Sequence, residues 1–349
     1  MSSVFYHAGI EAVGAVLPKE KFSVEDFGFG RRTKKISALT GIVNVGIAPA
    51  DTITSDYAVY LAEHLFAEME LDPQEIDGIV FVSTTPDYIS PPTSVLLQHR
   101  LGLSQSCAAF DINYACPGYI YGLMQSFMMV ETRVCRKVLL IAGDVATHYI
   151  SMQDKAMSLV TGDAVTVSVI GRREEEALTV FEKYTDGGGY QHLFVPAGGF
   201  RTPKRHGVTD VPREDEDGNI RTDEHLYMNG MEIMRFAVEQ VPIIVDQLLH
   251  TRQWAQRDVG SYYFHQANEF IVKNIARRMN LPLEKTPIFV RDVGNTGVAS
   301  IPLTLCAYNA DKSGKELARS ILCAFGAGLV CIGAAIDLSH THFSKIIEM

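Results

Sequence analysis

The fold is decided by the stretch Asp111-Ile112-Asn113-Tyr114-Ala115-Cys116-Pro117-Gly118-Tyr119-Ile120-Tyr121. An apolar run ends here, the chain turns, and a helix begins with proline near its first position, where the missing N–H costs least. The dipole at such a helix start favours a thiolate, so we predict a lowered pKa for the Cys116 thiol. Most free cysteines are small buried hydrophobes, and position alone leaves that interpretation open.

Buried strands and helices alternate on both sides of this stretch. In the first half, apolar runs predict strands at 76–82, 108–112 and 137–143, and helical spacing predicts helices over 58–69 and from about Cys116. In the second half the same patterns predict helices over 238–249 and 268–279, and strands at 261–264, 320–325 and 329–336. Such alternation is typical of an α/β protein.

The chain also indicates an internal duplication. The order of helix, acidic turn and buried strand occurs around residues 71–81 and again around 257–264. We therefore predict two similar halves, residues 1–173 and 174–349, which meet near the charged turn at 171–177. The highly charged segment 204–224 contains Asp-Gly and is predicted to be an exposed excursion.

Composition and charge exclude several classes of protein. Of the 349 residues, 47% are hydrophobic and 21% are charged, so the chain can bury a large core and is not disordered. The formal net charge of −10 argues against nucleic acid or an anionic membrane surface as the main partner. An acidic partner would have to dock on a local basic patch.

Neither a membrane span nor a metal site is indicated. The uncharged stretch 112–130 contains proline and glycine, and 321–336 is shorter than the roughly 20 apolar residues that a span requires. The six cysteines show no CxxC pair and no Cys/His ligand spacing, so we expect no zinc site and no disulfide framework. Residues 1–9 lack the features of a secretory signal, and we expect a cytoplasmic location.

Three other positions carry groups that could do chemistry. His265 follows the predicted strand 261–264, Asn295 lies between glycines, and Gly326-Ala327-Gly328 joins two predicted strands. Taken singly, the histidine is typical of a hydrogen-bonded core residue, the asparagine of a turn, and a short Gly-x-Gly is weak evidence for a ligand site. Together with Cys116, however, all of them lie at the ends of buried strands, where α/β active sites form.

The whole chain, roughly Ile10 to Leu338, resembles the β-ketoacyl-ACP synthase III family of the thiolase fold. The motifs that match in order and spacing are the Cys116 stretch, Leu39-Thr40-Gly41-Ile42, Val195-Pro196-Ala197-Gly198-Gly199, Met228-Asn229-Gly230, His265-Gln266-Ala267-Asn268, Gly294-Asn295-Thr296 and Ala324-Phe325-Gly326-Ala327-Gly328. This resemblance implies two βαβαβαββ halves in a five-layer α-β-α-β-α sandwich, assembled as a homodimer.

The resemblance also implies a catalytic triad of Cys116, His265 and Asn295. Cys116 is expected to take an acyl group from a thioester, after which malonyl-ACP loses CO2. His265 and Asn295 are expected to donate hydrogen bonds to the resulting enolate, and the N–H groups of Cys116 and Ala327 to hold the tetrahedral oxyanion. Two neutral donors and no carboxylate suit this chemistry, because a nearby anion would oppose the enolate. No metal or redox cofactor is expected.

The chain departs from the family where acyl-CoA primers are clamped. Family members that use acyl-CoA often hold the adenine between a tryptophan and an arginine. In this chain Lys35 stands at the place of the tryptophan and Phe270 at the place of the arginine, and the single tryptophan, Trp254, lies elsewhere. Pro91 stands where the family often has a bulky aromatic gate contributed across the dimer. We therefore expect a medium or long acyl primer, or one delivered by a carrier protein.

Basic residues are retained where the family docks its carrier protein. Lys273, Arg277 and Arg278 lie on the predicted helix after His265 and form a plausible landing site for acidic acyl carrier protein. A solvated helix face is the ordinary interpretation of such charges.

Two other functions stay open. A type III polyketide-synthase-like enzyme would use the same Cys, His and Asn with CoA thioesters, although the chain length and the intact His265-Gln266-Ala267-Asn268 favour the first interpretation. A catalytically silent partner subunit that binds acyl chains is the other, and the complete triad argues against it.

Overall fold

Two mixed β-sheets organise the described residues, 2–310 and 314–349, of this computed structural model. The helices are α1 (Arg31–Thr40), α2 (Thr54–Glu68), α3 (Thr93–Arg100), α4 (Gly118–Glu131), α5 (Lys155–Ser158), α6 (Gly230–Arg252), α7 (Glu269–Arg278) and α8 (Ser300–Asn309). The strands are β1 (Ser3–Phe5), β2 (Ala8–Leu17), β3 (Lys21–Ser23), β4 (Asn44–Gly46), β5 (Gly78–Val82), β6 (Ala108–Ile112), β7 (Lys137–Asp144), β8 (Ala164–Arg172), β9 (Thr179–Thr185), β10 (Leu193–Phe194), β11 (Arg213–Glu214), β12 (Ile220–Arg221), β13 (Tyr227–Met228), β14 (Ser261–Phe264), β15 (Ser320–Gly326), β16 (Val330–Ile336), β17 (His342–Phe343) and β18 (Ile347–Glu348).

Each half of the chain supplies most of one sheet. The first sheet has the order β17-β2-β8-β7-β5-β6, with β18 also on β2, and the second has the order β1-β9-β16-β15-β14. The strands next to the site run parallel, β5 with β6 and β7, and β14 with β15. The remaining neighbours among β2, β7, β8, β9, β15 and β16 are antiparallel.

The terminal strands of the chain pair with the sheet that is built mainly from the other half. β1 pairs with β9 in the second sheet, whereas β17 and β18 pair with β2 in the first. The chain passes from one sheet to the other between β8 and β9. The boundary at residues 173 and 174 falls in this connection, and the division into halves there stays a prediction.

Successive side chains of a strand point to opposite faces of its sheet, so alternate residues pack into two different core layers. Val80 and Val82 of β5 face a core shared with α4 and the second sheet, while Ile79 and Phe81 face the core under α2. In β15, Leu322 and Ala324 face the shared core, and the residues between them face α6 and α7. The layers are therefore α2/α3, first sheet, α4/α8, second sheet and α6/α7, which confirms the five-layer α/β fold.

The first half follows the expected order βαβαβαββ, through β2, α2, β5, α3, β6, α4, β7 and β8. The second half differs in the described residues, because no strand is assigned between α7 and α8. The side chain of Gln266 donates to the carbonyl of Pro287 at 3.2 Å and accepts the N–H of Phe289 at 2.9 Å, so these backbone groups are satisfied without a strand partner. Pro287 also has no N–H to contribute to a ladder.

The predicted elements of the sequence are mostly confirmed within a few residues. The helix after Cys116 begins at Gly118, and the stripe at 238–249 belongs to the longer α6, which Asn229 caps by accepting the N–H of Glu232 at 3.3 Å. No helix in the described part of the chain is long and apolar enough to span a membrane.

The charged segment 204–224 is largely exposed, as predicted, and carries the small β11–β12 hairpin. It is nevertheless anchored to the body of the protein. Arg221 pairs with Asp154 at 3.0 Å and with Asp215 at 2.9 Å, and the Lys155 ammonium donates to two carbonyls of the hairpin turn. These contacts hold the segment beside the cavity described below.

Candidate active site

Cys116 lies between the end of β6 and the start of α4. Gly326, the last residue of β15, packs directly against it: a Cβ at this glycine would lie 2.9 Å from Cys116 Cβ and 3.3 Å from its Sγ. Any larger residue would therefore displace Cys116. This close approach also brings Ala327, the residue after β15, to the same place as Cys116.

The expected lowering of the Cys116 pKa is wrong in this structure. Burial raises the pKa of the thiol to about 12, and the carboxylate of Asp144 adds to the rise, while a hydrogen bond from the backbone of Cys116 only partly offsets it. The helix begins at Gly118, so Cys116 precedes the first helical residue, and loss of hydration outweighs the dipole. At neutral pH the Cys116 side chain is therefore a thiol and not a thiolate.

His265 directly follows β14 and is buried. Its Nδ1 lies 2.7 Å from the hydroxyl of Ser300, the first residue of α8, and its ring meets Phe325 edge-on with centroids 5.2 Å apart. Burial lowers the pKa of His265 to about 3, so the imidazole is neutral at pH 7. Because Nδ1 is engaged, Nε2 is the nitrogen left to act on a substrate.

Asn295 is held by its backbone and by one side-chain atom. Its N–H donates to the carbonyl of Val160 at 2.6 Å, and its carbonyl accepts from Gly162 at 3.0 Å. Its Oδ1 accepts the N–H of Gly297 at 3.0 Å. The amide oxygen is thus occupied, which leaves the Nδ2 group as a hydrogen-bond donor.

Cys116, Asn295 and Ala327 line one cavity of about 830 Å³, which we call the Cys116 cavity. Its apolar wall comes from Ile53, Val145, Ala146, Met157, Val160, Leu193, Phe194, Val195, Leu226 and Met228. His265 is not a lining residue; its ring contacts Phe325, two residues before the lining residue Ala327, and its Nδ1 contacts Ser300. The structure therefore places three of the four predicted groups on the cavity wall, and the histidine is not one of them.

Asp144 is a cavity residue that sequence reasoning missed, and it corrects the expectation of a site without a carboxylate. It ends β7, accepts hydrogen bonds from Ser83 and Thr84, and is buried. Burial raises the pKa of Asp144 to about 6, although these hydrogen bonds oppose the rise. A signal existed in the sequence, because Asp144 follows a predicted strand just as Cys116 and His265 do.

The predicted gate and clamp positions lie away from this wall. Pro91 is exposed and does not line the cavity of its own chain. Because a gate contributed by a second copy would act on the partner's cavity, the role of Pro91 stays a prediction. Lys35 is exposed on α1 and Phe270 is partly buried on α7, while Trp254 stacks under the Arg252 guanidinium, 4.3 Å from the ring centre.

The predicted docking residues lie on α7. Arg277 and Arg278 are exposed in its last turn, whereas the Lys273 ammonium is paired with the carboxylate of Glu269 one turn earlier. The free positive charge of this patch therefore comes from the two arginines, and its role in docking stays a prediction. Within residues 2–310 and 314–349, no cluster of His, Cys, Asp and Glu could hold a metal ion.

The chain matches known proteins over nearly its full length. The family model described as 3-oxoacyl-[acyl-carrier-protein (ACP)] synthase III matches residues 110–187, and the model of its C-terminal part matches residues 249–338. A β-ketoacyl-[acyl-carrier-protein] synthase III of Caldanaerobacter subterraneus is 31% identical over 95% of this chain and 98% of its own. A synthase III of Streptomyces coelicolor is 32% identical over 86% of this chain and 88% of its own.

Solved structures give the same result. A 3-oxoacyl-(acyl-carrier protein) synthase from Burkholderia xenovorans superposes with a TM-score of 0.92 at 29% identity, covering 100% of this chain and 99% of that one. The priming β-ketosynthase of the R1128 polyketide pathway superposes with a TM-score of 0.82 at 25% identity, covering 95% and 96%. Fold and site thus define a thiolase-fold condensing enzyme. More specifically, the chain belongs to the β-ketoacyl-ACP synthase III family of acyltransferases.

Proposed function

We propose that Cys116 accepts an acyl primer and that His265 and Asn295 then promote its decarboxylating condensation with malonyl-ACP. The observation that carries this proposal is the convergence of Cys116, Asn295 and Ala327 on one cavity of about 830 Å³. The proposed nucleophile, an amide donor and a backbone donor thus line the same cavity. A cavity of this size holds a ligand of drug-like dimensions.

In the second half-reaction, CO2 leaves malonyl-ACP and negative charge develops on the thioester oxygen. His265 is neutral and has Nε2 available, and Asn295 has its amide group available, so both can donate to this oxygen. A preorganised donor of this kind contributes about 3–4 kcal/mol to transition-state stabilisation. The enolate carbon then attacks the acyl group on Cys116.

The tetrahedral intermediate on Cys116 carries a second oxyanion. The backbone N–H groups of Cys116 and Ala327 are the donors that we assign to it, because Gly326 holds the two residues against each other. Collapse of this intermediate releases the β-ketoacyl product and frees the Cys116 sulphur for the next cycle.

The proposed function is tested by mixing the purified protein with an acyl thioester and malonyl-ACP. We expect an acyl adduct on Cys116 by mass spectrometry, followed by CO2 release and a β-ketoacyl-ACP product. A silent subunit would form no product, and an enzyme of the type III polyketide-synthase kind would prefer malonyl-CoA over malonyl-ACP. Either result would contradict the proposal.

We further propose a homodimer in the cytoplasm. Next to Pro91, Tyr88 and Ile89 are exposed by 61% and 87%, which is unusual for large apolar side chains and suits a subunit contact. All six cysteines are free, which suits a reducing compartment. Sedimentation of the purified protein tests the dimer.

Carrier-protein docking gives a first prediction. We expect the double variant Arg277→Glu/Arg278→Glu to raise KM for acyl carrier protein at least tenfold at low salt, with little change in kcat. The reason is that electrostatic steering of an acidic partner is lost, so the effect should shrink as salt screens the charges. Steady-state kinetics with varied carrier protein measure it.

The matched control is Arg133→Glu/Arg136→Glu. It makes the same charge change at two exposed residues just before the start of β7. Asp144 and the cavity lie at the other end of this strand. If both double variants raise KM equally, the effect reports net charge alone, and docking does not occur on α7.

Primer choice gives a second prediction. We expect a C8 acyl thioester to outcompete acetyl-CoA for Cys116, because the cavity of about 830 Å³ has many apolar lining residues and each CH2 group buried against them contributes about 0.8 kcal/mol. Two such groups already correspond to about tenfold in preference. Lys35 and Phe270 replace the pair that would stack on the adenine of CoA, an interaction worth about 1–3 kcal/mol. CoA should therefore have little advantage over carrier protein as the molecule that delivers the primer.

Competition between the two primers, each on CoA and on carrier protein, is scored by the acyl mass on Cys116. A clear preference for acetyl-CoA would overturn the prediction. Pro91→Phe, which adds bulk at the proposed gate, should shift a long-chain preference toward short primers; if it leaves the preference unchanged, Pro91 is not the gate.

A further inference from the structure

Ser300 is a buried hydroxyl that contacts the imidazole of His265. It is the first residue of α8 and is 2% exposed, as is His265. Its Oγ lies 2.7 Å from His265 Nδ1 and accepts the backbone N–H of Gln266 at 3.3 Å. Among residues 2–310 and 314–349, the structure gives this hydroxyl no further hydrogen-bond partner. The direction of the Ser300–His265 hydrogen bond therefore decides whether the hydroxyl hydrogen has an acceptor.

The two possible directions differ in the groups that they leave unpaired. If Nδ1 carried the imidazole hydrogen, it would donate to Ser300 Oγ, which already accepts from Gln266, and the hydroxyl hydrogen would be buried without an acceptor. If Nδ1 is unprotonated, the hydroxyl donates to it and every polar atom of the contact is paired. Buried polar groups are paired in the great majority of cases. The contact therefore favours a hydroxyl that donates and an imidazole hydrogen on Nε2.

A hydroxyl on Nδ1 gives His265 the polarity of a donor. Where Nδ1–H donates to a carboxylate or a carbonyl, Nε2 is left as a base. Here Nδ1 accepts, so the single hydrogen of the neutral ring is held on the opposite nitrogen. The ring is neutral at pH 7 because burial lowers the pKa of His265 to about 3. A neutral ring with Nε2–H can donate to an enolate oxygen.

The same contact fixes the orientation of the ring. Phe325 is fully buried and meets the imidazole edge-on, with centroids 5.2 Å apart and planes at 76°. A half-turn of the ring would exchange Nδ1 for the carbon Cδ2 at the Ser300 hydroxyl. That hydroxyl would then lose its acceptor, so the hydrogen bond opposes the turn as well as the other tautomer.

One short segment sets the polarity of both proposed donors. Asn295 is oriented by the N–H of Gly297, which donates to its Oδ1 at 3.0 Å and leaves Nδ2 as the free donor. Ser300, three residues further along the chain, acts in the corresponding way on His265. Residues 295–300 thus determine which atom of each side chain is available to a substrate.

We propose that Ser300 is a positioning residue for decarboxylation, because its hydroxyl donates to Nδ1 of His265 and keeps the hydrogen on Nε2. In this assignment Nε2–H donates to the enolate oxygen of the malonyl thioester, and Ser300 acts through the imidazole without touching the substrate. The inference rests on the function proposed above for His265.

The direct test is the ¹⁵N NMR spectrum of the native protein labelled at histidine, at pH 7. The shifts of the two ring nitrogens distinguish a protonated from an unprotonated nitrogen, and comparison with His265→Ala assigns the ring. We expect an unprotonated Nδ1 and a protonated Nε2. A protonated Nδ1 would overturn the proposal, and this result depends on no Ser300 variant being folded.

The kinetic test is release of CO2 from malonyl-ACP by Ser300→Ala that has been pre-acylated on Cys116. We expect kcat of this step to fall by about tenfold or more, with KM for malonyl-ACP and the acyl loading rate unchanged, because only a part of the rings then carries its hydrogen on Nε2. The ¹⁵N spectrum should show hydrogen appearing on Nδ1. Ser300→Thr retains a hydroxyl and should restore most of the rate.

The matched control is Ser126→Ala. Ser126 is a buried serine of α4 in the same central layer, and its hydroxyl donates to the carbonyl of Gly122 at 2.8 Å. This variant should decarboxylate at the native rate. If Ser126→Ala and Ser300→Ala lose equal activity, the loss reports the packing of the layer, and the assignment of Ser300 is wrong.

The outcomes separate this inference from its premise. If the native protein forms no acyl-Cys116 or releases no CO2 from malonyl-ACP, the proposed function fails whatever the tautomer. If the native protein condenses and Ser300→Ala matches it in rate with Nδ1 still unprotonated, only the role of Ser300 fails.

Discussion

Replacing Cys116 by alanine abolishes acyl capture and lowers condensation on the order of 10⁵-fold or more, the loss typical of a removed covalent nucleophile. The reason is that no other thiol among the described residues lines the cavity, so the acyl group has no second cysteine there to which it can be transferred. Among the described residues, Cys116 is the cysteine that lines the cavity. The measurements are the intact mass of the protein after incubation with a C8 acyl thioester and the yield of β-ketoacyl-ACP.

The matched control is Cys107→Ala. Cys107 is partly exposed like Cys116, but it lies before β6 and does not line the cavity, so this variant should retain both acyl capture and condensation. Burial raises the pKa of Cys107 to about 11, so a general alkylating reagent discriminates poorly between the two thiols. Acyl label that persists in Cys116→Ala and disappears in Cys107→Ala would assign the nucleophile to the wrong cysteine.

His265→Ala and Asn295→Ala are expected to slow decarboxylation of malonyl-ACP by about 10²-fold or more each, while acyl loading of Cys116 changes much less. In the proposed mechanism both groups donate to the enolate, which forms only in the second half-reaction, so their loss should raise the barrier of that step. Release of CO2 from malonyl-ACP by pre-acylated protein measures the step in isolation.

The loading rate of the same two variants is the internal control. A variant that cannot take up the acyl group yet decarboxylates malonyl-ACP normally would show that the roles are assigned to the wrong half-reaction. His265 is neutral with its pKa lowered to about 3, so its donor function should not titrate between pH 5 and pH 8. A dependence of decarboxylation on an imidazole titrating in that range would contradict a neutral donor.

Elements with strong local patterns were predictable from the sequence. The apolar runs at 108–112, 137–143 and 320–325 correspond to β6, β7 and β15 within one residue, because a short continuous apolar run can be recognised from the sequence alone. The strand expected by duplication between α7 and α8 is the exception. There the side chain of Gln266 satisfies the backbone of 287–289, a long-range contact that no local pattern encodes.

The site was predictable in part from strand ends, since Cys116 follows β6, Ala327 follows β15, and the structure brings both to one cavity. Asn295 lines the same cavity, but the expectation that it lies at a strand end is wrong, because no strand is assigned among the described residues between α7 and Asn295. Asp144 ends a buried strand, β7, but the sequence did not single it out, because the resemblance implied two neutral donors and no carboxylate.

Residue order and type therefore sufficed for the alternation of strands and helices and, through the motifs, for the family, since these depend on local periodicity and on short sequence patterns. The protonation states depended on tertiary structure, because the pKa of a group follows from its hydration and its neighbours in space. The helix start favoured a thiolate at Cys116, yet packing against Gly326, burial and the charge of Asp144 make it a thiol. Burial likewise keeps His265 neutral and raises the pKa of Asp144 to about 6, shifts that follow from tertiary packing and that no local pattern in the sequence encodes.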